Sequence, residues 1–416
     1  MAHNNYINAP APNVPYFAPA QYPPAGTALD PQPNGKPIAT LFKPLKIRGV
    51  EFQNRIFLSP LCQYSSENGK PTPWQFAHLG GILTRGPGLT MVEATSVVPE
   101  GRITPQDAGI WNDEQMEAWR EIVQFAHAQN QKIGIQLAHA GRKASTVAPW
   151  IHSRHPAPVS DGGWPDDIWG PSAIPYSEDL PAPKELTKDG IKRIVNAFGA
   201  AAKRSLKAGF DVIEVHTSHG YLIGEFMAPV ANHRTDEYGG SFENRIRLLV
   251  EVVDAIRAVI PPSMPLFVRV SATDWLEESH PEEHWGIEDT VKLAEVLAAH
   301  GVDLLDISSA GLHPAQKFQS GKHRLMHAPL SAAVRKAHGD KILVSVVGMI
   351  TTGELAQSVL DEGAADVVFV GRQFQKNPGT VWAFAEELGV TIKQSHQIEW
   401  GVVGRAGSMG RPAKSQ

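Results

Sequence analysis

Three side chains that can hold or move a proton stand within six residues of one another: His216, His219 and Tyr221. They follow directly on a short apolar run that begins at Asp211 and has the composition of a buried strand. Two imidazoles can donate hydrogen bonds to a carbonyl oxygen and polarise it, and a phenol can deliver a proton to carbon. In barrels of parallel strands, catalytic groups lie where the strands end. This stretch is therefore predicted to form the substrate-facing wall of an active site.

The same two histidines could instead bind a metal, because imidazole is a common zinc ligand. A catalytic zinc site takes three protein ligands, and no further histidine or carboxylate stands out as the third. A metal-dependent hydrolase or lyase is thus the weaker alternative, and we predict that the chain binds no metal.

A second candidate group, Ser59-Pro60-Leu61-Cys62, follows the first apolar run and leads to Tyr64. A lone cysteine is most often a small buried hydrophobe. At the mouth of a barrel and beside a tyrosine, Cys62 becomes a modest candidate for a functional thiol.

The later strands carry candidates for binding an anion. Arg269 lies inside an apolar run, and a buried guanidinium needs an anionic partner, either Asp306 on the next strand or an anionic cofactor. The last two strands end in Gly348 and in Gly371-Arg372. Glycines after the seventh and eighth strands, followed by a helix, form the usual phosphate site of a barrel.

The elements that must position these residues alternate between strands and helices. Eight such units favour a single α/β domain, a (β/α)8 TIM barrel, over a doubly wound sheet, whose Gly-x-Gly-x-x-Gly turn is not present. Strands are predicted over 55–59, 89–94, 132–137, 211–216, 266–270, 302–307, 342–347 and 366–370. Helices are predicted near 115–129, 187–208, 248–260, 288–300, 328–338, 352–362 and 378–388.

Three segments fall outside this alternation. Residues 1–38 are rich in proline and are expected to form a flexible or surface-draped arm, while 39–405 form the barrel and 406–416 a C-terminal tail. From Gly141 to about Lys184 the chain carries three tryptophans among many prolines. Long loops in compact domains are usually lids or linkers, and the aromatic content predicts a packed lid after the third strand.

Composition excludes several classes of partner. The net charge of −5 over 416 residues, without basic runs, indicates neither nucleic-acid nor membrane binding. One cysteine cannot form an internal disulfide or an all-cysteine iron–sulfur or zinc site. Because no secretory signal and no run of eighteen apolar residues is present, we expect a cytoplasmic location.

Taken together, these residues resemble the old yellow enzyme family of flavin-dependent ene-reductases over roughly residues 41–405. Cys62 and the His-x-x-His pair resemble its thermophilic-like subgroup. The resemblance rests on Leu41-Phe-Lys-Pro-Leu45, Asn54-Arg55, Ser59-Pro-Leu-Cys-Gln-Tyr-Ser65, Gly134-Ile-Gln-Leu-Ala-His-Ala-Gly-Arg142, Gly209-Phe-Asp-Val-Ile-Glu-Val-His216, Asn232-His-Arg-Thr-Asp-Glu-Tyr-Gly-Gly-Ser241 and Glu243-Asn-Arg245.

The resemblance implies tightly but non-covalently bound FMN, reduced by NADPH or NADH, and small enones as substrates in a ping-pong reaction. His216 and His219 would grip the substrate carbonyl, Tyr221 would protonate its α-carbon, and Tyr64 would also contact the substrate. Arg269 would stand near flavin N1 and O2, where a cation stabilises the anionic reduced ring. The other implied cofactor contacts are Ser59, Pro60, Leu61, Cys62, Ala94, Gln136, Gly348, Gly371 and Arg372.

One position departs from the family pattern. Members of the subgroup often carry a C-terminal arginine that reaches the neighbouring subunit's site, and Trp400 stands at that place in this chain. The resemblance therefore leaves a possible homodimer, in which Trp400 would replace the arginine of the shared-site interface. A flavin-holding protein, closed to substrates by the lid or by Trp400, is the remaining alternative function.

Overall fold

The computed structural model describes residues 7–152, 155–317 and 325–404; the predicted tail over 406–416 lies outside them. Its centre is a closed barrel of eight parallel strands. Each strand pairs with the next one in the chain, and the eighth pairs with the first. The strands are β1 Ile56–Leu58, β2 Leu89–Ser96, β3 Ile133–Ala138, β4 Val212–His216, β5 Leu266–Ser271, β6 Leu304–Ser308, β7 Leu343–Val347 and β8 Val367–Val370. The predicted (β/α)8 barrel is confirmed.

Among the described residues, eight of the longer helices surround the barrel; seven lie between consecutive strands and the eighth follows β8. They are α1 Pro73–Leu83, α2 Asp113–Ala128, α3 Lys188–Ala208, α4 Arg247–Arg257, α5 Ile287–Ala299, α6 Ala328–His338, α7 Gly353–Asp361 and α8 Thr380–Glu387. Seven of them match the predicted helices within a few residues. Sequence reasoning missed α1, which contains Gly80 and Gly81, residues that lower helix propensity. Its start is fixed instead by a capping box between Thr72 and Gln75, with Pro73 at the first helical position.

Inside the barrel, side chains from alternate strand positions form layers. The lowest layer is apolar and includes Phe57, Val212, Phe267 and Phe369. A two-stranded antiparallel hairpin, Leu45–Ile47 with Val50–Phe52, contributes to the same cluster. The edge-to-face contact of Phe57 with Phe369, with ring centroids 5.5 Å apart, belongs to this layer.

One step up each strand, the interior becomes polar. Two residues after Val212, Phe267 and Leu304 come Glu214, Arg269 and Asp306, and a further two residues on come His216, Ser271 and Ser308. Since side chains on a strand repeat with a period of two, the same faces carry the apolar floor, a charged middle layer and the residues at the mouth. The charged layer of Glu214, Arg269 and Asp306 therefore lies directly beneath the candidate site.

The predicted lid is present between β3 and α3. Trp164 anchors it, since its indole N–H donates to the carbonyl of Glu100 at 3.0 Å and its backbone N–H donates to Ser145 Oγ at 2.7 Å. Lid residues and Tyr221 together line a cavity of about 330 Å³. The lid therefore borders the space next to the candidate proton donor.

The proline-rich arm contacts the barrel at several points. Gln53 and Gln131 both donate side-chain hydrogen bonds to the carbonyl of Ala25, and the N–H of Gly26 donates to the carbonyl of Lys393. The part of the arm that the structure describes is thus hydrogen-bonded to the barrel and to the segment after α8. Among the described residues, no helix is long and apolar enough to cross a membrane.

Candidate active site

A left-handed turn after β4 brings the three proton-handling side chains together. The backbone N–H of Ser218 donates to Nδ1 of His216 at 3.4 Å, which holds that ring at the end of the strand. His219 has φ of +61° and Gly220 has φ of +68°. A Cβ on Gly220 would collide with the carbonyl oxygen of Gly311, so this tight approach requires glycine.

The turn stacks the three rings edge to face. The centroid of His216 lies 5.3 Å from that of His219 and 5.1 Å from that of Tyr221, with interplanar angles of 79° and 76°. The cluster that the sequence predicted is therefore formed in one place.

Neighbouring strand ends hold His219. Its backbone N–H donates to Ser271 Oγ at 2.9 Å, and its Nε2 lies 2.9 Å from Ser308 Oγ. From the lid, the ammonium group of Lys143 donates to the carbonyl of His219 at 2.6 Å and lies 4.9 Å from the centroid of the Tyr221 ring. Sequence reasoning missed both Ser308 and Lys143, although serines at a strand end and a lysine after Gly141-Arg142 were visible signals.

Burial sets the protonation of this cluster. Burial away from water has the largest effect, and nearby positive charges act in the same direction. Together they lower the pKa of His219 to about 3 and lower the pKa of His216 well below its usual range. Burial and the acidic groups Cys62 and Asp107 raise the pKa of Tyr221 well above its usual value. At neutral pH the site thus holds two neutral imidazoles beside a protonated phenol.

A cavity of about 510 Å³ adjoins the cluster at the ends of β1 and β5 to β8. Seven of the ten predicted cofactor residues line it: Ser59, Pro60, Leu61, Arg269, Gly348, Gly371 and Arg372. Cys62, Ala94 and Gln136 are not among the lining residues. Sequence reasoning missed several others, among them His327, Met349, Gln373 and Lys376.

Arg269 connects the charged middle layer to this cavity. Its Nε donates to Asp306 at 2.5 Å, one terminal nitrogen donates to Ser59 Oγ at 2.9 Å, and Glu214 lies 3.9 Å away. Asp306 is held in turn by the hydroxyl of Ser345. Of the two partners that the sequence left open for this buried guanidinium, Asp306 is therefore present. Arg269 also lines the cavity, in which the other, an anionic cofactor, could lie.

Four residues that line the cavity carry backbone N–H groups that suit a phosphate. Gly348, Met349, Gly371 and Arg372 all line the cavity, and in the described part of the chain none of their N–H groups has a hydrogen-bond acceptor. Gly348 and Met349 have positive φ, of +102° and +58°. Backbone N–H groups of successive residues in such conformations can bind anions. The residues present therefore fit the FMN that the resemblance implies, because a cation and a set of backbone donors for an anion line the same cavity.

The segment that carries Cys62 and Tyr64 is fixed from below. The buried carboxylate of Glu93 accepts the backbone N–H of Gln63 at 2.7 Å and an amide N–H of Gln75 at 3.2 Å. Burial, and then the charges of Asp107 and Glu93, raise the pKa of the Cys62 thiol, so it is uncharged at neutral pH.

Ala94 and Gln136 are paired in register on β2 and β3. The Gln136 amide donates to Glu214 at 2.7 Å, in the charged layer. The structure thus pairs these two residues with each other, and neither lines the 510 Å³ cavity.

Two further sequence interpretations can be compared with the described residues. They contain no group of three or more His, Cys, Asp or Glu side chains that could hold a metal, so His216 and His219 have no third ligand there. Trp400 lies in a short helix, His396–Val403, with 60 % of its surface exposed. Within one chain, Trp400 is a surface residue.

The chain is similar in sequence to known flavin oxidoreductases. Residues 40–389 match the model of the NADH:flavin oxidoreductase / NADH oxidase family. An NADH:flavin oxidoreductase of Gibberella zeae is 53 % identical over 412 residues, covering 97 % of this chain and 98 % of that protein. An NADPH dehydrogenase of a Geobacillus species is 43 % identical over 364 residues, or 87 % of this chain and 98 % of that protein.

Solved structures agree with these matches. An old yellow enzyme homologue from Zymomonas mobilis superimposes with a TM-score of 0.68 at 30 % identity, covering 86 % of this chain and 98 % of that one. Morphinone reductase superimposes with a TM-score of 0.68 at 28 % identity, covering 86 % and 91 %.

Proposed function

Because the chain belongs to the NADH:flavin oxidoreductase / NADH oxidase family, we propose that it is an ene-reductase, which reduces the C=C bond of α,β-unsaturated carbonyl compounds. At the coarser level the chain is an FMN-dependent NAD(P)H oxidoreductase of the old yellow enzyme type. The observation that carries the finer proposal is the edge-to-face cluster of His216, His219 and Tyr221, with two neutral imidazoles and one protonated phenol.

The two imidazoles bind and polarise the substrate. Since Nδ1 of His216 accepts the N–H of Ser218, its proton is on Nε2, from which it can donate to a carbonyl oxygen. Ser308 occupies one ring nitrogen of His219, so the other nitrogen is available to the same oxygen. Two donors on one carbonyl withdraw electron density from its conjugated β-carbon and make that carbon electrophilic.

Tyr221 supplies the proton for the α-carbon. Its raised pKa keeps the hydroxyl protonated until a carbanion-like carbon forms, and the ammonium group of Lys143 beside its ring stabilises the phenolate left behind. Tyr64 lines the 330 Å³ cavity together with Tyr221, and we assign it a contact with the substrate.

FMN bound here would supply the hydride chemistry between NAD(P)H and the β-carbon of the enone. We assign its contacts to Ser59, Pro60, Leu61, Cys62, Ala94, Gln136, Arg269, Gly348, Gly371 and Arg372. In this assignment Arg269 would stabilise negative charge on the reduced ring, and the Cys62 thiol would tune its redox behaviour. A single site for both substrates implies ping-pong kinetics.

An anaerobic titration tests the proposal. Purified protein with FMN should lose its visible flavin band on addition of NADPH and recover it on addition of cyclohexenone or a maleimide. If NADPH bleaches the flavin and none of a panel of enones restores it, the protein is an NADPH oxidoreductase but not an ene-reductase. If NADPH fails to bleach the flavin within seconds, the alternative of a closed flavin-holding protein is favoured.

The expected cytoplasmic location and the possible homodimer remain predictions. Sedimentation of the purified holoprotein measures the second of these directly.

A further inference from the structure

His327, which the proposed chemistry does not use, joins the ends of two barrel strands. It precedes α6, is 9 % exposed, and lines the 510 Å³ cavity. Its Nδ1 lies 2.6 Å from the carbonyl oxygen of Val347 at the end of β7, and its Nε2 lies 2.8 Å from the hydroxyl of Ser309 just after β6.

These two contacts define the state of the ring. A carbonyl oxygen can only accept, so Nδ1 carries the proton and Nε2 accepts the hydroxyl proton of Ser309. Both nitrogens are therefore occupied by the protein, and His327 has no donor left for a ligand. Burial lowers its pKa, which is consistent with a neutral ring.

The contact with Val347 fixes the direction of the next N–H group. The carbonyl of Val347 and the N–H of Gly348 belong to one planar trans peptide, so they point in opposite directions. When His327 holds the carbonyl oxygen, the N–H of Gly348 is held toward the other side of that peptide. Gly348 lines the cavity, and a Cβ there would lie 3.1 Å from Nδ1 of His327, so the ring packs closely against this peptide.

We propose that His327 is a positioning residue for the phosphate of FMN. Through the carbonyl of Val347 it orients the N–H of Gly348 toward the phosphate, and Ser309 keeps the ring in the required tautomer. The inference rests on the cofactor cradle assigned above, and it needs no assumption about the enone.

Two adjacent serines at the end of β6 contact different parts of the site, one the substrate side and the other the phosphate side. Ser308 contacts His219 on the substrate side, whereas Ser309 contacts His327 on the phosphate side. Because neighbouring residues on an extended chain point to opposite sides, this division follows from the strand itself. It also provides a matched pair of substitutions one residue apart.

The experiment compares two ligands that differ only in the phosphate. Apoprotein carrying His327→Leu is titrated with FMN and with riboflavin, and binding is followed by quenching of flavin fluorescence. Loss of an oriented donor should weaken FMN binding roughly tenfold and change riboflavin binding by less than about twofold. His327→Gln, which can donate to Val347 and accept from Ser309, should restore most of the FMN affinity.

Three results would overturn the proposal. One is unchanged FMN affinity in His327→Leu. Another is an equal loss for FMN and riboflavin, which would mean that His327 supports the fold and not the phosphate. The third is a failure of His327→Gln to recover FMN affinity.

Ser309→Ala serves if His327→Leu does not fold, as judged by circular dichroism. It should weaken FMN relative to riboflavin by roughly threefold, and Ser308→Ala should not show this selectivity. Equal selectivity in the two serine variants would contradict the proposal. Because all readings are binding constants, they are independent of whether the enzyme reduces enones.

Discussion

At the scale of single residues, burial gives Tyr221 its proposed role as an acid. Its raised pKa means that the hydroxyl proton is present throughout the neutral range. We predict that Tyr221→Phe slows reoxidation of the reduced flavin by enones by about a hundredfold or more, which is the range for loss of a general acid. Reduction by NADPH should change only a few-fold, because hydride transfer to the flavin needs no proton from this group.

Stopped-flow measurement of the two half-reactions separates these effects. Equal slowing of both halves would show that Tyr221 shapes the whole pocket and is not the specific proton donor.

His219 is the residue at which binding of an oxygen can be tested without turnover. A phenol presents its oxygen to the same two imidazoles as an enone carbonyl does. Replacing His219 by Ala should weaken phenol binding about tenfold, the upper range for one neutral hydrogen bond. Absorbance titration of the flavin charge-transfer band measures the affinity, and Ser308→Ala, which removes only the orienting hydroxyl, should have a smaller effect. Unchanged affinity in His219→Ala would argue against the carbonyl grip.

At the scale of elements, the turn after β4 is the critical connection. Gly220 combines a positive φ with an approach to Gly311 that leaves no room for a Cβ. Gly240 is a matched control, since its φ is +81° and nothing lies within 4 Å of an added Cβ. Gly240→Ala should therefore show only the cost of the left-handed backbone, about 1 kcal/mol.

Gly220→Ala should destabilise the fold by about 2–4 kcal/mol, because the steric overlap adds to the backbone cost. Urea unfolding of the two variants gives the comparison. Similar losses for both would mean that the loop around Gly311 moves aside easily and that the turn is not tightly specified.

At the scale of the whole molecule, the buried carboxyl groups make stability depend on pH. Burial raises the pKa of Glu225 to about 8, and its Oε1 accepts the backbone N–H of Arg142 at the start of the lid. Between its usual value in the unfolded chain, near 4.5, and about 8 in the fold, the folded state binds more protons. Stability is therefore lost as pH rises through this window.

Replacing Glu225 by Gln removes that titrating group while keeping an oxygen for the Arg142 N–H. We expect the unfolding free energy of the natural protein to fall more steeply between pH 6 and 8 than that of Glu225→Gln, by up to roughly 1.4 kcal/mol per pH unit. Glu93, whose pKa is raised by burial to about 7, contributes in the same direction in both proteins. Parallel pH profiles in urea unfolding would show that Glu225 is ionised in the fold.

The sequence by itself determined the order of elements, the barrel, the lid and the His216–Tyr221 cluster. These depend on local regularities: the period of apolar residues, the position of polar groups after strands, and their meeting at one end of a parallel barrel. Helix α1 was not predicted, because a capping box marks its start and the prediction relied on the spacing of apolar residues.

Only the tertiary structure decided which side chains meet. Ser308 contacts His219, 89 residues away in sequence, and His327 contacts the backbone carbonyl of Val347, 20 residues away. For Arg269 the sequence offered Asp306 or a cofactor, and the structure shows the bond to Asp306. The same packing removed water from His219 and Tyr221 and so set their protonation, which residue types alone do not specify.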